Sequence, residues 1–185
     1  MENTAMARST ALRYEDLASF PDDNLRREIL SGELYVTPSP TLRHQHVVGQ
    51  IFRVLADYAD GADGRAIVAP LDTALSAQNV VEPDVVFVAA DRMHTLGRKG
   101  IFGVPSLVVE VLSPGTKIVD RGSKREIYAR FGTPEYWIVD PDANTIERCS
   151  RPAGDCYEEN VTFESDMAAA TLPGLTLTFD KIFSA

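Results

Sequence analysis

The sequence predicts an α/β fold in which apolar strands alternate with helices. Two short runs rich in Val, Leu and Phe, 80–89 and 107–113, are typical of strands buried on both faces of a sheet. A helix-like segment at 120–131 and a further apolar run at 135–139 follow, and this order predicts a right-handed parallel crossover. With 44% hydrophobic residues the chain can fill a core, and we expect one domain over residues 1–185.

Residues that turn or break the chain bound each predicted element. Pro21 stops the first helix, Ser31-Gly32 forms a two-residue hairpin turn, and Gly61 ends the second helix. We expect residues 1–9 to be disordered. The predicted elements, in chain order, are a helix at 10–20, hairpin strands at 25–30 and 33–37, a helix at 41–60, strands at 65–75 and 80–89, a Gly-rich basic loop at 91–104, a strand at 107–113, a helix at 120–131, a strand at 135–139, and more exposed strands at 145–149 and 157–163.

Two carboxylates, Asp84 and Glu110, lie within the two apolar runs. A carboxylate inside a buried strand loses its solvation, so it needs a cation or hydrogen-bond donors to remain charged. Two such groups on neighbouring strands would suit a hard divalent cation such as Mg²⁺, which prefers oxygen ligands. The alternative is that both side chains lie at strand ends in contact with water.

The net charge of −9 disfavours long-range attraction to nucleic acid, but the charges are unevenly distributed. Residues 91–130 contain eight Lys or Arg against four acids and so carry a charge of +4. A basic patch beside a carboxylate pair suits a phosphate-containing substrate. The alternative is that these are ordinary solvated charges on loops and helices.

Several classes of protein are disfavoured by simple features of the sequence. No apolar stretch approaches the ~20 residues that span a bilayer, so we predict no membrane association. Residues 1–24 lack the apolar core of a signal peptide. Cys149 and Cys156 are the only cysteines and have no zinc-binding neighbours at finger spacing. We therefore expect free thiols and a reduced, cytoplasmic protein.

Short patterns along nearly the whole chain occur in a specific order. They are Glu28, Gly32-Glu33, Pro38-Ser39-Pro40, His44-Gln45, Pro83-Asp84, Glu110-Val111-Leu112-Ser113, Asp120, Lys124, Tyr128 and the run from Tyr136 to Pro141. In this order they resemble the Uma-two (Uma2) family, a bacterial family grouped with the restriction endonucleases of the PD-(D/E)-x-K nuclease superfamily. The resemblance implies a restriction-endonuclease-like core, with a mixed central sheet flanked by helices. It also implies Mg²⁺-dependent cleavage of phosphodiester bonds in DNA.

The resemblance makes Asp84 and Glu110 the metal-binding carboxylates, with Mg²⁺ or Mn²⁺ as the ion and the backbone carbonyl of Val111 as a third ligand. The superfamily pattern places a lysine two residues after the second acid, on the same face of the strand. That position is Leu112 here, so the sequence departs from the pattern. Lys124, on the following helix, is the family's substitute, and its long stem could bring the ammonium back to the carboxylates.

Asp120, Lys124 and Tyr128 are spaced i, i+4 and i+8, so they share one face of the predicted helix. A salt bridge on the helix surface between Asp120 and Lys124 is the alternative to a catalytic lysine. Tyr128 could contact substrate or face the core.

The resemblance adds two further residues to the predicted catalytic set. It makes Glu28, in the first hairpin strand, an additional carboxylate of the site, whereas the residues alone also allow an exposed strand position. It places His44 in the first turn of the long helix, where the imidazole could contact phosphate or relay a proton. A surface histidine at a helix terminus is the alternative.

The predicted substrate contacts come from the basic segment and the helix. They are Lys99, Lys117, Arg121 and Tyr128. Cutting both strands of a duplex takes two sites or two binding events, so we expect a homodimer. The main alternative to an active nuclease is a module of the same fold that binds nucleic acid or regulates a partner without turnover.

Overall fold

The predicted α/β class with mixed sheets flanked by helices is confirmed in the computed structural model, which describes residues 11–23 and 25–184. The disorder predicted for residues 1–9 lies outside the described residues. The strands are β1 (Arg26–Leu30), β2 (Glu33–Thr37), β3 (Arg65–Val68), β4 (Asp72–Ser76), β5 (Asn79–Val81), β6 (Val85–Val88), β7 (Gly100–Phe102), β8 (Leu107–Val111), β9 (Glu135–Asp140), β10 (Thr145–Ala153), β11 (Cys156–Phe163), β12 (Met167–Ala168) and β13 (Thr176–Leu177).

The helical segments are of three types, namely α, 3₁₀ and π. They are a 3₁₀ helix at Tyr14–Ser19, α1 (Leu42–Gly61), a 3₁₀ helix at Ala90–Thr95, α2 (Lys117–Val119), a π-helical turn at Asp120–Lys124, α3 (Arg125–Arg130) and α4 (Phe179–Phe183). Within the described ranges, no helix is long and apolar enough to cross a membrane.

The strands form two large sheets and one small one. The six-stranded sheet has the order β11-β10-β9-β8-β6-β3, and only its β8–β9 pair is parallel. The five-stranded sheet has the order β2-β1-β5-β4-β7, with β4 and β7 parallel. The small sheet pairs β12 with β13.

Helices and the second sheet cover both faces of the six-stranded sheet. On one face, α1 and α4 pack in a cluster with Phe87 of β6 and Trp137 of β9. On the other face, Val108 of β8 packs with Tyr128 of α3 and with Leu30 of the five-stranded sheet. Burial on both faces explains why β6, β8 and β9 read as continuous apolar runs.

The predicted hairpin and long helix are confirmed. β1 and β2 pair in antiparallel register, and Ser31 and Gly32 both have positive φ (52° and 84°), as a two-residue turn of the I′ type requires. The long helix begins after Thr41, whose side chain accepts a hydrogen bond from the His44 N–H at 3.2 Å.

Two predicted strands are each divided in the structure. The segment 65–75 becomes β3 and β4, and 80–89 becomes β5 and β6. In both cases the chain passes from one large sheet to the other, and a proline, Pro70 or Pro83, lies at the break. Proline cannot donate a hydrogen bond to a sheet ladder. Asp84 therefore lies in the link before β6, not inside a strand as predicted.

The remaining differences concern shorter segments. The first helix is a single 3₁₀ segment, and the 91–104 loop contains a 3₁₀ helix and β7. The helix expected at 120–131 begins earlier, at Lys117, and contains the π-helical turn. β10 and β11 form a longer hairpin than the sequence predicts.

Candidate active site

Seven parts of the chain meet around a small cavity at one end of β8. They are β1, the end of β2, the link between β2 and α1, the beginning of α1, the link between β5 and β6, the end of β8 with the loop after it, and the π-helical turn. The cavity has a volume of about 20 Å³, about enough for one water molecule. Its lining residues are Arg26, Thr37, Pro38, Pro40, His44, Asp84, Glu110, Val111, Ser113, Thr116 and Lys124.

Asp84 is buried and held by three donors. Its Oδ1 accepts from the Arg26 guanidinium at 2.9 Å, and its Oδ2 accepts from the Val111 N–H at 2.8 Å and lies 3.2 Å from His44 Nε2. Burial acts to raise the pKa of Asp84, but His44, Arg26 and the backbone donor outweigh it and hold that pKa below its usual value. Asp84 is therefore ionised at neutral pH.

Glu110 lies beside Asp84 because of the strand register. Val85 of β6 pairs with Val109 of β8, and one further residue along each chain brings Asp84 opposite Glu110. Glu110 is 2% exposed, and both residues line the cavity. The placement of Asp84 and Glu110 together depends on an antiparallel register that the sequence alone does not reveal.

Lys124 connects three carboxylates. Its Nζ lies 2.9 Å from Glu28 Oε1, 3.0 Å from Glu110 Oε1 and 3.3 Å from Asp120 Oδ1. Tyr128 adds a second donor to Glu110, with its hydroxyl 2.8 Å from Oε1. Lys124 is 3% exposed, so its pairing with Asp120 is not the surface salt bridge that the sequence allowed.

The protonation of Lys124 and its three carboxylate neighbours follows from their burial and from the excess of acidic groups over cations. Burial acts to lower the pKa of Lys124, but its three carboxylate neighbours raise it well above the usual value, so the ammonium keeps its proton. Burial of Glu110, together with Asp120, Asp84 and Glu28, raises the pKa of Glu110 to about 8 despite the nearby ammonium. At neutral pH the carboxylates around Lys124 therefore retain a proton that a cation could displace.

The oxygen atoms of the site suit a hard divalent cation. Both donors to Glu110 contact Oε1, which leaves Oε2 as the oxygen available to a metal. Across the part of the chain that the structure describes, no three His, Cys, Asp or Glu side chains form a metal-binding group. Asp84, Glu110 and the Val111 carbonyl would thus need water to complete a shell, as Mg²⁺ sites usually do. Arg26 occupies Asp84 Oδ1 and would have to yield it to the ion.

The other predicted site residues divide into two groups. Glu28 and His44 are buried and contact the site, through Lys124 and Asp84 respectively. The Nδ1 atom of His44 has no hydrogen-bond partner among the described residues. Glu28 also accepts the Glu82 N–H at 2.8 Å, which ties β1 to the link that carries Asp84.

The predicted substrate contacts do not line the cavity. Lys117 is half-exposed and pairs with Asp140 at 2.8 Å, and Arg121 pairs with Glu147 at 2.9 Å. Lys99 lines a separate, larger cavity of about 550 Å³ beside the N-terminal 3₁₀ helix. Tyr128 is fully buried, so its hydroxyl contacts Glu110 and is not open to solvent.

The sequence analysis did not include Arg26 among the site residues. It lies two residues before Glu28 on β1, so the two side chains share one face of that strand. Besides Asp84, Arg26 contacts the backbone carbonyl of Glu82, and its Nε lies 3.7 Å from the Glu82 carboxylate. Once Glu28 is assigned to the site, this two-residue spacing is the signal that would have included Arg26.

Comparisons with known proteins find a relative in sequence and a similar solved structure. An uncharacterised protein from Synechocystis is 30% identical over 107 residues, which cover 56% of this chain and about half (54%) of the relative. A crystal structure from Anabaena variabilis, described as "a putative nuclease belonging to DUF820", superposes with a TM-score of 0.76 at 19% identity. The superposition covers 94% of this chain and 98% of that one, so the two share a fold.

The family comparison covers most of the chain. The model of the Uma2 family, described as "Putative restriction endonuclease", matches residues 13–180, a range that contains all the site residues described above. This match to the family model supports a nuclease-like function. The chain belongs to the Uma2 family.

Proposed function

We propose that this protein is a metal-dependent endonuclease that hydrolyses phosphodiester bonds in DNA. The observation that carries the proposal is the convergence of Asp84 and Glu110 on one small cavity, with the ammonium of Lys124 3.0 Å from Glu110. Arg26 and Lys124 pair with these carboxylates, but burying paired charges still costs free energy of desolvation. A function that uses a cation explains why the fold keeps them.

Mg²⁺ or Mn²⁺ is the proposed cofactor. Asp84, Glu110 and the Val111 carbonyl would hold it, and it would supply charge stabilisation and an activated water for hydrolysis. His44 and the Val111 N–H fix the orientation of the Asp84 carboxylate. Tyr128 fixes that of Glu110.

Lys124 acts as a protonated group in this proposal. Its raised pKa rules it out as a general base at neutral pH. Its Nζ instead supplies a positive charge at the cavity, where negative charge develops on the scissile phosphate. Arg26 provides a second cation beside Asp84, and the Glu82 carboxylate, 3.7 Å from its Nε, helps to hold it there.

The test is cleavage of plasmid and of single-stranded DNA in the presence of Mn²⁺, Mg²⁺ or a chelator. We expect cleavage with either metal and none with the chelator. Asp84→Asn, which is nearly isosteric, should abolish cleavage and retain the fold by circular dichroism. Asp91→Asn, on the 3₁₀ helix outside the cavity lining, is the matched control. Cleavage by Asp84→Asn at the wild-type rate would contradict the proposal.

A second candidate is a non-catalytic module that binds nucleic acid. It is favoured by the ion pairs that neutralise Asp84 and Glu110 without a metal, through Arg26 and Lys124. Calorimetric titration with Mn²⁺ separates the two functions. Binding that Asp84→Asn removes supports the nuclease, whereas DNA binding without metal uptake or cleavage supports the module.

We also propose that the protein acts as a homodimer. Cleavage of both strands of a duplex by one site needs two binding events, whereas a symmetric dimer carries two sites.

A further inference from the structure

The side chain of Tyr136 connects the central sheet to the helical segment that carries Lys124. Tyr136 lies on β9 and is fully buried. Its hydroxyl donates a hydrogen bond of 3.0 Å to the backbone carbonyl of Asp120. Asp120 is the first residue of the π-helical turn, and Lys124 is the last. Tyr136 therefore holds one end of the turn whose other end reaches the cavity.

A π-helical turn depends on its surroundings more than an α-helical turn does. Its backbone hydrogen bonds close over five residues instead of four, and such turns are rare and occur frequently at functional sites. A buried backbone carbonyl also needs a donor. Burial raises the pKa of the Tyr136 hydroxyl well above its usual value, so the hydroxyl keeps the proton that it donates to Asp120.

The ring of Tyr136 supports a second group of the site. It packs against the ring of Tyr128, with 4.8 Å between the ring centroids. The Tyr128 hydroxyl contacts Glu110 Oε1, the same oxygen that Lys124 contacts. The strand register explains this placement, because Tyr136 pairs with Val108, two residues before Glu110 and on the same face of the sheet. One buried side chain thus lies behind both donors to Glu110.

The surface contacts of the turn are less favourable anchors. Arg121, within the turn, and Arg125, directly after it, each pair with Glu147 of β10 at 2.9 Å. The Arg121 side chain is 39% exposed, and ion pairs open to water contribute little to stability. The bond from Tyr136 is buried, where water does not compete with it. We therefore expect the buried bond to fix the turn.

We propose that Tyr136 is a positioning residue that holds the π-helical turn and so directs the Lys124 ammonium at Glu110. Its effect on turnover rests on the proposed nuclease function, whereas its effect on the placement of Lys124 does not. Tyr136 is not among the residues that line the cavity, so it acts through Lys124 and Tyr128. The alternative is a core tyrosine whose hydroxyl contributes only to stability.

Tyr157 provides a closely matched control. It is buried on β11, and its hydroxyl donates to the backbone carbonyl of Thr133, also at 3.0 Å. Thr133 follows α3 and lies outside the π-helical turn. Both tyrosines belong to one apolar cluster, and their rings stack with centroids 6.4 Å apart. Tyr136→Phe and Tyr157→Phe each remove one buried hydroxyl and one hydrogen bond, so they should lower the melting temperature similarly.

The reactivity of Lys124 measures its placement without DNA. Limited reductive methylation in chelator, read by mass spectrometry, compares buried Lys124 with exposed Lys181 in the same molecule. Lys124 should react much more slowly than Lys181 in the wild type. Tyr136→Phe should raise the relative reactivity of Lys124 about tenfold, because one buried hydrogen bond fewer opposes local opening. Tyr157→Phe should leave the ratio close to the wild-type value.

Turnover gives the functional measurement. With Mn²⁺ and saturating DNA, Tyr136→Phe should reduce kcat by a factor on the order of 10, since Lys124 is displaced but still present. KM should change little, because no group that contacts DNA is removed. Tyr157→Phe should cleave at the wild-type rate. A loss of stability alone would reduce both rates equally.

A second variant tests the inference even if Tyr136→Phe does not fold. Glu147→Gln breaks the surface pairs of Arg121 and Arg125 and should leave Lys124 unreactive. A reactive Lys124 in Glu147→Gln would show that the surface pairs hold the turn, and the inference would be wrong.

The comparison of the two Phe variants gives the remaining outcomes. Equal reactivity of Lys124 in Tyr136→Phe and Tyr157→Phe would overturn the positioning role, as would an equal loss of kcat. If the difference in Lys124 reactivity is found but the wild-type protein does not cleave DNA, the nuclease function is rejected and Tyr136 keeps its role in placing Lys124.

Discussion

Asp84 and Glu110 show that one small site can give two carboxyl groups different pKa values. Three donors hold the pKa of Asp84 below its usual value, whereas burial and neighbouring acids raise that of Glu110 to about 8. Both groups are nearly fully buried, so the difference arises from their neighbours, since donors surround Asp84 whereas three other acids raise the pKa of Glu110. In the metal-free protein we therefore expect Asp84 to be anionic and Glu110 to hold a proton at neutral pH.

The raised pKa of Glu110 predicts how the metal-free protein responds to pH. A carboxyl group that binds its proton more tightly when folded stabilises the protein fully below its unfolded pKa of about 4.5. That stabilisation is lost as the pH rises through about 8. Glu110→Gln cannot ionise, so the fall in melting temperature between pH 5 and pH 9 should be smaller than in the wild type.

Thermal unfolding in chelator over this pH range provides the measurement. Glu164→Gln, at an exposed position after β11, is the control and should follow the wild-type curve. If Glu110→Gln also follows it, the proton does not reside on Glu110.

Lys124 is expected to affect turnover more than binding. Lys124→Met retains most of the stem and removes the charge beside Glu110, so turnover at saturating DNA should fall by a factor on the order of 100 or more. Lys117→Met removes a half-exposed charge that pairs with Asp140, so it should mainly weaken binding and reduce the salt dependence. Lys99→Met, in the separate cavity, should behave like Lys117→Met or the wild type.

Initial rates at saturating substrate and a melting curve for each variant check this assignment. Near-normal turnover by a folded Lys124→Met protein, with a large loss in Lys117→Met or Lys99→Met, would transfer the catalytic role to another lysine. A folded state is an important control here, because removal of one partner from a buried ion cluster can cost about 3–5 kcal/mol.

At the scale of elements, the β1–β2 hairpin sets the position of two site residues. Arg26 and Glu28 lie on β1, and the register of that strand is fixed by the turn at Ser31 and Gly32. The turn is itself anchored, since the Ser31 N–H donates to Asn79 Oδ1 and the Gly32 N–H donates to the Gln78 carbonyl.

Gly32→Ala is expected to destabilise the protein. Gly32 has φ of 84°, and a side-chain carbon there would lie 2.6 Å from the Ala11 Cβ. Strain of this kind costs about 1–3 kcal/mol. Gly122→Ala, in the π-helical turn with open space around it, is the matched control and should be neutral or mildly stabilising.

Urea unfolding monitored by circular dichroism measures both free energies. A Gly32→Ala protein as stable as the Gly122→Ala protein would show that the turn tolerates a side chain. The predicted role of the turn in fixing the β1 register would then be wrong.

At the scale of the whole molecule, charge distribution and assembly determine how a protein of net charge −9 can meet DNA. Most of the acid lies outside residues 91–130, although Asp84 and Glu110 line the cavity itself. The charge of +4 on residues 91–130 reduces the repulsion of DNA locally, although the molecule as a whole repels a polyanion.

The molecular mass of the protein in solution tests the proposed homodimer. Light scattering at micromolar concentration should give twice the 20.3 kDa chain mass for the proposed homodimer. A mass of one chain, unchanged by added DNA, would count decisively against it. Each protomer would then have to bind twice to cut both strands.

The sequence by itself determined the class of the fold, the hairpin and the long helix, and it predicted the acidic residues of the candidate site. Local patterns are sufficient for these features, because β1, β2 and α1 are defined by turns, caps and periodicity within a few residues. The spacing of Asp120, Lys124 and Tyr128 likewise predicted a shared helix face, and in the structure Lys124 contacts Asp120 while Tyr128 and Lys124 contact the same Glu110 oxygen.

Only the tertiary structure decided which residues meet. The division of 80–89 between two sheets moved Asp84 into a link, and the antiparallel register of β6 with β8 brought it opposite Glu110. Arg26 reaches Asp84 across 58 positions of sequence, and Lys99 is carried to another cavity. These pairings depend on sheet order and register, which arise from contacts between distant segments and leave no periodic signal in any one of them.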